Sequence, residues 1–250
     1  LPISTASAAT YTHSLVSITD TYGCSQTQTG STIVRVNPAA QGDVSGSTVV
    51  CKNNPSPNIV FTGTNGDYPY HFSYKVNGGV TSMVSTSGAN SSVSIAAPTT
   101  TDGTFTYSLI AVEDNNNAGC SSVGNASATV NVDSLPLAVI SGSATICQNA
   151  NKQITGAIAR NGSILWTHNG NGSITGDNTL SPTYNAGALD ANGVVTLTMT
   201  VTGTTTCTNQ SSATYTIYVD PVPQASTNGS ATICQNATYT LAPGEATQQY

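Results

Sequence analysis

The nine-residue segment GSATICQNA occurs at residues 142–150 and again, letter for letter, at residues 229–237. A related segment, GSTVVCKNN, occupies residues 46–54. Identical segments of this length indicate a tandem repeat, which constrains the architecture before any local pattern is considered. The period of about 90 residues is too long for one unit of a solenoid and suits a whole small β-sandwich domain. The chain is therefore predicted to be a string of similar domains.

Alternating strands that end in proline predict where those domains meet. Such strands occur at residues 31–38, 127–136 and 212–223, and proline cannot continue a sheet ladder. They divide the chain into these segments: 1–37, the C-terminal part of a repeat; 38–133 and 134–220, two complete repeats; and 221–250, the N-terminal part of a further repeat. We expect the parent chain to extend both ways. Strand exchange between subunits is the alternative for the two ends, although together they lack the middle strands of a domain.

Apolar residues alternate with polar ones along several segments, the pattern of half-buried strands. An Asn-Gly-Gly turn follows one of these strands at residues 77–79. Trp166 lies shortly before a similar turn and is predicted to fill the core rather than to bind a ligand. The fold predicted is all-β, a rod of tandem immunoglobulin-like β-sandwich domains. The residues predicted to face inward are Tyr70, Phe72, Tyr74, Val76, Phe105, Tyr107, Leu109, Ala111, Ala128, Val130, Val132, Val195, Leu197, Met199 and Val201.

The composition excludes several classes of function. Charged residues make up 6% of the chain and the net charge is -6, so there is no basic surface for nucleic acid. No apolar run is long enough to cross a bilayer, and direct membrane insertion is not expected. The histidines His13, His71 and His168 do not recur at equivalent places, and no GxSxG motif accompanies them. We therefore predict a protein that is not an enzyme and needs no cofactor.

Acidic residues after one predicted strand form the best candidate for a metal site. Glu113 and Asp114 are followed by three asparagines, and Asp20 occupies the place of Asp114 in the preceding partial repeat. Calcium binds several oxygen ligands at once, and this loop offers them. The third repeat has no acid in this region, so a solvated loop is the alternative to a calcium site.

The segments ICQNA, VFTGTNGDYPYHFSYKVNGG and APTTTDGTFTYSLIAVED, with the strand ATVNV, resemble the tandem immunoglobulin-like or PKD-like modules of large surface adhesins. Those adhesins occur in gliding bacteria that use type IX secretion. The resemblance is closest over residues 47–133, whereas residues 134–220 carry the segment WTHNGNG instead of PYHFSYKVNGG. It implies an extracellular, cell-surface location and a stalk or filament role. The implied partners are neighbouring repeats, other copies of the chain and an outer-membrane anchor protein.

Two functions remain open on this basis. The first is a structural stalk; the second is a module that binds sugars through exposed aromatic residues, for which Tyr22, Tyr68, Tyr218 and Trp166 are the candidates. These aromatic residues do not fall at matching positions in the repeats, which favours the stalk. Separately, the tripeptide at residues 133–135 resembles a bacterial O-glycosylation site, with Ser134 as the modified residue.

Six cysteines, one early and one late in each repeat, predict disulfides and an oxidising compartment. We expect bonds within each complete repeat, Cys51 with Cys120 and Cys147 with Cys207. Cys24 and Cys234 would then have partners outside this stretch. If the strands simply alternate in direction, however, the two cysteines of one domain lie at opposite poles, too far apart to bond. The alternative is a staple across a joint, Cys51 to Cys207.

Overall fold

The structure is a computed structural model that describes residues 3–115, 120–204, 206–223 and 232–238. The chain divides into two compact units, Leu1–Asp133 and Ser134–Tyr250. The division falls at the junction placed between the two complete repeats from sequence. Most of the partial repeat placed at residues 221–250 lies outside the described residues. The described part contains strands and one short 3-10 helix, none of it long and apolar enough to span a membrane as a helix.

Residues 3–37 of the first unit form two small antiparallel pairs of strands. Strand β1 (Ala9–Ser14) pairs with β4 (Ser31–Val36), and β2 (Ser17–Thr19) pairs with β3 (Ser25–Thr27). The β1–β4 pair has the connectivity of the last two long strands of a complete repeat. The segment therefore has the pairing expected for the C-terminal part of a domain.

The first complete repeat is a sandwich of two sheets. One sheet has the order β10-β7-β5; the other has the order β6-β13-β11-β8-β9, with β12 also paired to β11. All pairs are antiparallel except that of β6 with β13, which is parallel. Splitting the first strand between the two sheets in this way is an immunoglobulin-like arrangement. The strands are β5 (Gln41–Ser45), β6 (Thr48–Cys51), β7 (Asn58–Thr64), β8 (Tyr70–Val76), β9 (Thr81–Ser85), β10 (Ser92–Ala96), β11 (Gly103–Asp114), β12 (Ser121–Val123) and β13 (Ser127–Asp133).

The core of this sandwich confirms most of the predicted inward faces. Tyr70 and Phe72 of β8 are buried, and β13 buries its three predicted apolar residues. Phe61 of β7 contacts the rings of Phe72 and Tyr74 across the two sheets. The Asn-Gly turn also forms as predicted: Asn77 adopts a positive φ of 49° between β8 and β9.

One predicted inward residue, Ala111, is wrong, because a β-bulge lies between Leu109 and Ala111. The extra residue, Ile110, shifts the alternation of the strand by one position. Val112 and Asp114 therefore face inward in place of Ala111 and Glu113. The bulge consequently buries a carboxylate that simple alternation places on the outer face.

The nine-residue repeat is the point at which the chain crosses from one sheet to the other. In the first repeat β5 ends at Ser45 and β6 begins at Thr48, with Gly46 between them at a φ of 109°. In the second repeat Gly142 has a φ of 122° at the same place. Such φ values are open to glycine and costly for other residues, so the sheet switch explains the glycine that begins the repeat.

Replacing Gly46 with alanine is expected to destabilise the first unit by about 3 kcal/mol or more. The new Cβ would lie 2.3 Å from the backbone oxygen of Asn58, in addition to the strained φ. Urea denaturation of the variant and the wild-type chain measures the loss. Gly30→Ala is the matched control, because no atom lies within 4 Å of its added Cβ. Equal stability of the two variants would contradict this role for Gly46.

The second complete repeat has the same arrangement of strands, except that its second strand is interrupted. Its main sheet has the order β15-β22-β21-β18, flanked by the smaller sheets β14-β17 and β16-β20-β19. Strand β15 runs parallel to β22, as β6 does to β13. The elements are β14 (Leu137–Val139), β15 (Ser143–Cys147), β16 (Asn151–Gln153), β17 (Ile158–Arg160), β18 (Gly162–His168), β19 (Ser173–Thr175), β20 (Thr183–Asn185), a 3-10 turn (Ala188–Asp190), β21 (Gly193–Gly203) and β22 (Gln210–Asp220).

The core of the second repeat also confirms its predicted face. The four predicted inward residues of β21 are each at most 2% exposed. Trp166 of β18 is 2% exposed, and its indole Nε1 donates a hydrogen bond to the backbone oxygen of Thr179 at 3.0 Å. The tryptophan is therefore part of the core, as the sequence predicted, and not a surface platform for a ligand.

Candidate functional site: the cysteine poles of the two repeats

In the first repeat the early cysteine lies at the end of the sandwich where the last strand finishes, which we call the C-terminal pole. Cys51 is paired in register with Asp133, the last residue of β13. The amide of Lys52 donates to the backbone oxygen of Asp133 at 2.9 Å. A tight turn follows, in which Asn53 has a φ of 66° and the amide of Asn54 donates to the oxygen of Cys51. These contacts fix the backbone of Cys51 beside the exit of the chain.

The second repeat holds its early cysteine in the same backbone arrangement. Cys147 is paired in register with Asp220, and the amide of Gln148 donates to the oxygen of Asp220 at 2.8 Å. Asn149 has a φ of 66°, and the amide of Ala150 donates to the oxygen of Cys147. The letters CQNA of the repeat thus encode a cysteine followed by a turn whose third residue, asparagine, tolerates a positive φ.

The late cysteines lie at the opposite end of each sandwich, the N-terminal pole. In the first repeat the amide of Asp114, at the far end of β11, donates to the oxygen of Cys120 at 3.3 Å. In the second repeat Cys207 lies in the loop that joins β21 to β22, where the amide of Gly203 donates to the oxygen of Asn209 at 3.0 Å. Each complete repeat therefore carries one cysteine at each pole.

Strand length separates the two cysteines of one repeat. Gly103, at the start of β11, lies opposite Val132, one position before the residue paired with Cys51. From there β11 runs for 12 residues to reach the loop of Cys120. At ~3.3 Å per residue this distance is roughly 35 Å. Since a disulfide needs Cα atoms within about 7 Å, Cys51 and Cys120 cannot bond inside one repeat.

The chemical states of the cysteines agree with this geometry. Cys51 and Cys207 are disulfide-bonded, and they are 3% and 1% exposed. The expected bonds Cys51–Cys120 and Cys147–Cys207 are therefore wrong, because Cys120 and Cys147 carry free thiols. The cysteines with free thiols are Cys24, Cys120, Cys147 and Cys234.

The calcium candidates are not brought together. Adjacent strand residues project to opposite faces, so Glu113 is exposed while Asp114 is 5% exposed. An oxygen of Asp114 accepts the amide hydrogen of Asp67 at 3.2 Å. Asp20 accepts two amide hydrogens of its own turn, from residues two and four positions further on. Within residues 3–115, 120–204, 206–223 and 232–238, no group of three or more His, Cys, Asp or Glu side chains could hold a metal ion.

The second repeat contains one buried carboxylate with a complete set of donors. Asp190 is 5% exposed and accepts hydrogen bonds from the hydroxyl of Tyr184 at 2.6 Å and from the amides of Asn171 and Gly187 at 2.6 and 2.7 Å. Burial acts to raise the pKa of Asp190, but these hydrogen bonds outweigh it and lower the pKa. Burial, together with the hydrogen bond to Asp190, raises the pKa of Tyr184 to about 12. The pair closes the loop around Asn171 and Gly172 and is a structural clamp.

A row of polar side chains crosses the outer face of the first repeat. His71 of β8 lies opposite Ser85 on one side and Glu113 on the other, and its Nδ1 is 2.6 Å from the Ser85 hydroxyl. Nucleophilic catalysis also requires donors for a developing oxyanion and a site that excludes water. This row lies on a strand face whose backbone is engaged in the sheet ladder. The arrangement therefore gives no support for a hydrolytic site.

The exposed aromatic candidates for sugar binding lie on different elements of the chain. Tyr22 is 92% exposed in the turn between β2 and β3, Tyr68 precedes β8, and Tyr218 lies on β22. The fourth candidate, Trp166, is in the core. Ser134, the candidate for glycosylation, is partly exposed at the junction after β13. The described residues thus offer no repeated aromatic platform, whereas the cysteine poles recur in both repeats.

No protein-family model matches the chain, and none of the curated proteins does. Among solved structures, a variant of titin domains I67–I69 is similar with a TM-score of 0.46 and 14% identity over 75% of this chain and 68% of that one. Human CDH23 EC21-23 has a TM-score of 0.45 and 16% identity, covering 73% and 70%. A calcium-stabilised adhesin with which an Antarctic bacterium binds ice has a TM-score of 0.40 and 17% identity, covering 84% and 57%. The class that this chain's own topology defines is a tandem immunoglobulin-like β-sandwich protein.

Proposed function

We propose that the chain is an extracellular structural stalk segment of a large repetitive bacterial surface adhesin. The observation that carries this function is the placement of the cysteines: each complete repeat presents one at the pole where its chain begins and one at the pole where it ends. Units of this kind are suited to joining end to end. Domains joined end to end form a long molecule, and providing length is the function of a stalk.

We include a disulfide between Cys51 and Cys207 in this function. Both residues are bonded, and the other four cysteines, all within the described part of the chain, have free thiols. Cys51 lies at the C-terminal pole of the first repeat and Cys207 at the N-terminal pole of the second. Closing a loop of this size stabilises a fold by roughly 5 kcal/mol in the chain-entropy model. Extracellular export supplies the oxidising compartment that such a bond needs.

The sequence resemblance supports a narrower version of this function, in which the stalk belongs to a gliding bacterium and leaves the cell by type IX secretion. Neighbouring repeats, other copies of the chain and an outer-membrane anchor are then its partners, and Ser134 carries a glycan. Loss of the protein from the surface of a type IX secretion mutant tests the route of export. The mass of the peptide containing Ser134 tests the modification.

A glycan array separates the stalk from the sugar-binding alternative. We expect the oxidised 250-residue chain to bind no sugar on the array above the level of an unrelated immunoglobulin-like domain, because the cores are filled and the exposed tyrosines form no shared platform. Specific binding that disappears on Tyr22→Ala, Tyr68→Ala or Tyr218→Ala would overturn the purely structural function. The oxidation state of the array sample is checked by thiol titration, so that a misfolded sample is recognised.

A further inference from the structure

The sequence contains a single Asp-Pro peptide bond, between Asp220 and Pro221. Bonds of this kind are broken more readily in mild acid than other peptide bonds. The aspartate carboxylate attacks its own backbone carbonyl carbon, and the basic proline nitrogen is a good leaving group. Asp220 is the last residue of β22, and it is exposed. The bond therefore lies directly after the second complete repeat, where water has access to it.

Gln148 contacts the chain on both sides of this bond. Its backbone amide donates a hydrogen bond to the carbonyl oxygen of Asp220 at 2.8 Å. Its side-chain Oε1 makes a longer contact with the amide of Val222, at 3.5 Å, and its Nε2 donates to the backbone oxygen of Ala188 at 3.0 Å. A fixed donor thus polarises the carbonyl that is attacked, and the same residue holds the segment that leaves.

The first repeat has the same backbone contact without the rest of this arrangement. The amide of Lys52 donates to the oxygen of Asp133 at 2.9 Å, as the amide of Gln148 does to Asp220. The side chain of Lys52, however, forms an ion pair with Asp102, and the residue after Asp133 is a serine. The combination of contacts around Asp220 is therefore particular to the second repeat and is not a general consequence of the fold.

We propose that the bond between Asp220 and Pro221 is a self-cleavage site, and that folding of the second repeat promotes the reaction. The Asp220 carboxylate attacks its own carbonyl carbon and forms a cyclic anhydride, while the amide of Gln148 stabilises the charge that develops on the carbonyl oxygen. The C–N bond breaks, its electron pair stays on the proline nitrogen, and that nitrogen takes a proton from the acid. Water then opens the anhydride. One water molecule is consumed in total, and nothing is oxidised or reduced.

Cleavage at this place separates residues 221–250 from the second complete repeat and leaves the strands of that repeat whole. All of β22 lies before the bond, including Ile217 and Val219, which fill the core. The site therefore releases the segment that follows without requiring the repeat to unfold. This inference goes beyond the stalk function and does not rest on it.

Incubation of the 250-residue chain at about pH 5 tests the proposal, since aspartate carboxylates are then largely ionised and acid is still available. Mass spectrometry follows the fragment 221–250, which begins with proline, and the fluorescence of Trp166 confirms that the repeat is folded. We expect cleavage to be about tenfold faster in the folded chain than in urea at the same pH, because only folding places the amide of Gln148 on the carbonyl of Asp220. Equal or slower cleavage in the folded chain would overturn the proposal.

Three variants assign the roles of the two residues. Asp220→Asn is expected to abolish the cleavage, because an amide does not replace the carboxylate as the nucleophile. Gln148→Ala is expected to slow cleavage of the folded chain a few-fold and to leave the rate in urea unchanged. Gln153→Ala is the matched control, since Gln153 is an exposed glutamine of the same repeat, and we expect no change in either rate. Persistent cleavage in Asp220→Asn contradicts the mechanism, and a folded rate of Gln148→Ala equal to that of the wild type contradicts the role of the Gln148 side chain.

Discussion

When the oxidised chain is pulled between its two ends, roughly 500 Å of its contour length is expected to stay unextended until the disulfide is reduced. The physical reason is the force path that a Cys51–Cys207 bond creates. Tension enters along residues 1–51, crosses the disulfide and leaves along residues 207–250. Residues 52–206, which contain most of both sandwiches, then carry no load. Single-molecule force spectroscopy with and without a reductant measures the difference.

Two variants control this experiment. Cys51→Ser is expected to behave as the reduced chain does, with unfolding of both sandwiches in the force–extension trace. Cys147→Ser is expected to match the wild type, because its thiol is free in the 250-residue chain. Full-length unfolding of both sandwiches in the oxidised wild type would contradict the Cys51–Cys207 pairing.

Replacing Asp190 with alanine is expected to destabilise the second repeat by about 3–5 kcal/mol. The substitution leaves the Tyr184 hydroxyl and the amides of Asn171 and Gly187 without their acceptor in a buried place. Chemical denaturation followed by the fluorescence of Trp166, the chain's one tryptophan, reports on this repeat directly. Asp177→Ala is the matched control, because Asp177 is exposed in the same repeat, and we expect a change within about 0.5 kcal/mol.

The same clamp predicts how stability depends on pH. The pKa of Asp190 is lowered by folding, so its contribution is present above the ordinary carboxyl pKa near 3.8 and is lost as the pH falls through the folded value. The pKa of Tyr184 is raised to about 12, so its contribution is present below its ordinary value of 10.0 and is lost as the pH rises towards 12. Asp190→Asn is expected to remove the acidic limb of this dependence. An unchanged acidic limb in that variant would show that Asp190 is not its source.

The features of the fold that depend on neighbouring residues in the chain were predicted from the sequence. Strand faces such as that of Val195, Leu197 and Met199 were predictable because burial on one face of a strand selects alternate residues. The buried position of Trp166 and the turn at Asn77 were predictable for similarly local reasons. The all-β class followed from these patterns together with the repeat.

The prediction of the inward face of strand β11 failed at a single extra residue. The bulge at Ile110 depends on the partner strands of β11, which alternation within one strand does not reveal. It turns Asp114 inward and Glu113 outward, the reverse of simple alternation. The two acids that the sequence had grouped as calcium ligands point to opposite faces because they are adjacent in a strand. Tyr184 and Asp190 were not singled out for a similar reason: neighbouring tyrosines and aspartates are common, and only the fold shows that the two side chains meet in a buried place.

By itself the sequence predicted the junction after residue 133, where the chain divides into two compact units, and placed an early and a late cysteine in each complete repeat. The tertiary structure alone decided which of those cysteines can meet. Strands β11 and β21 carry the chain from one pole to the other, and the parallel pairing of β6 and β15 fixes the early cysteine at the far end. A disulfide requires Cα atoms within about 7 Å of each other. The length of the strands therefore excludes the bond within a repeat, and that length cannot be read from the spacing of the cysteines in the sequence.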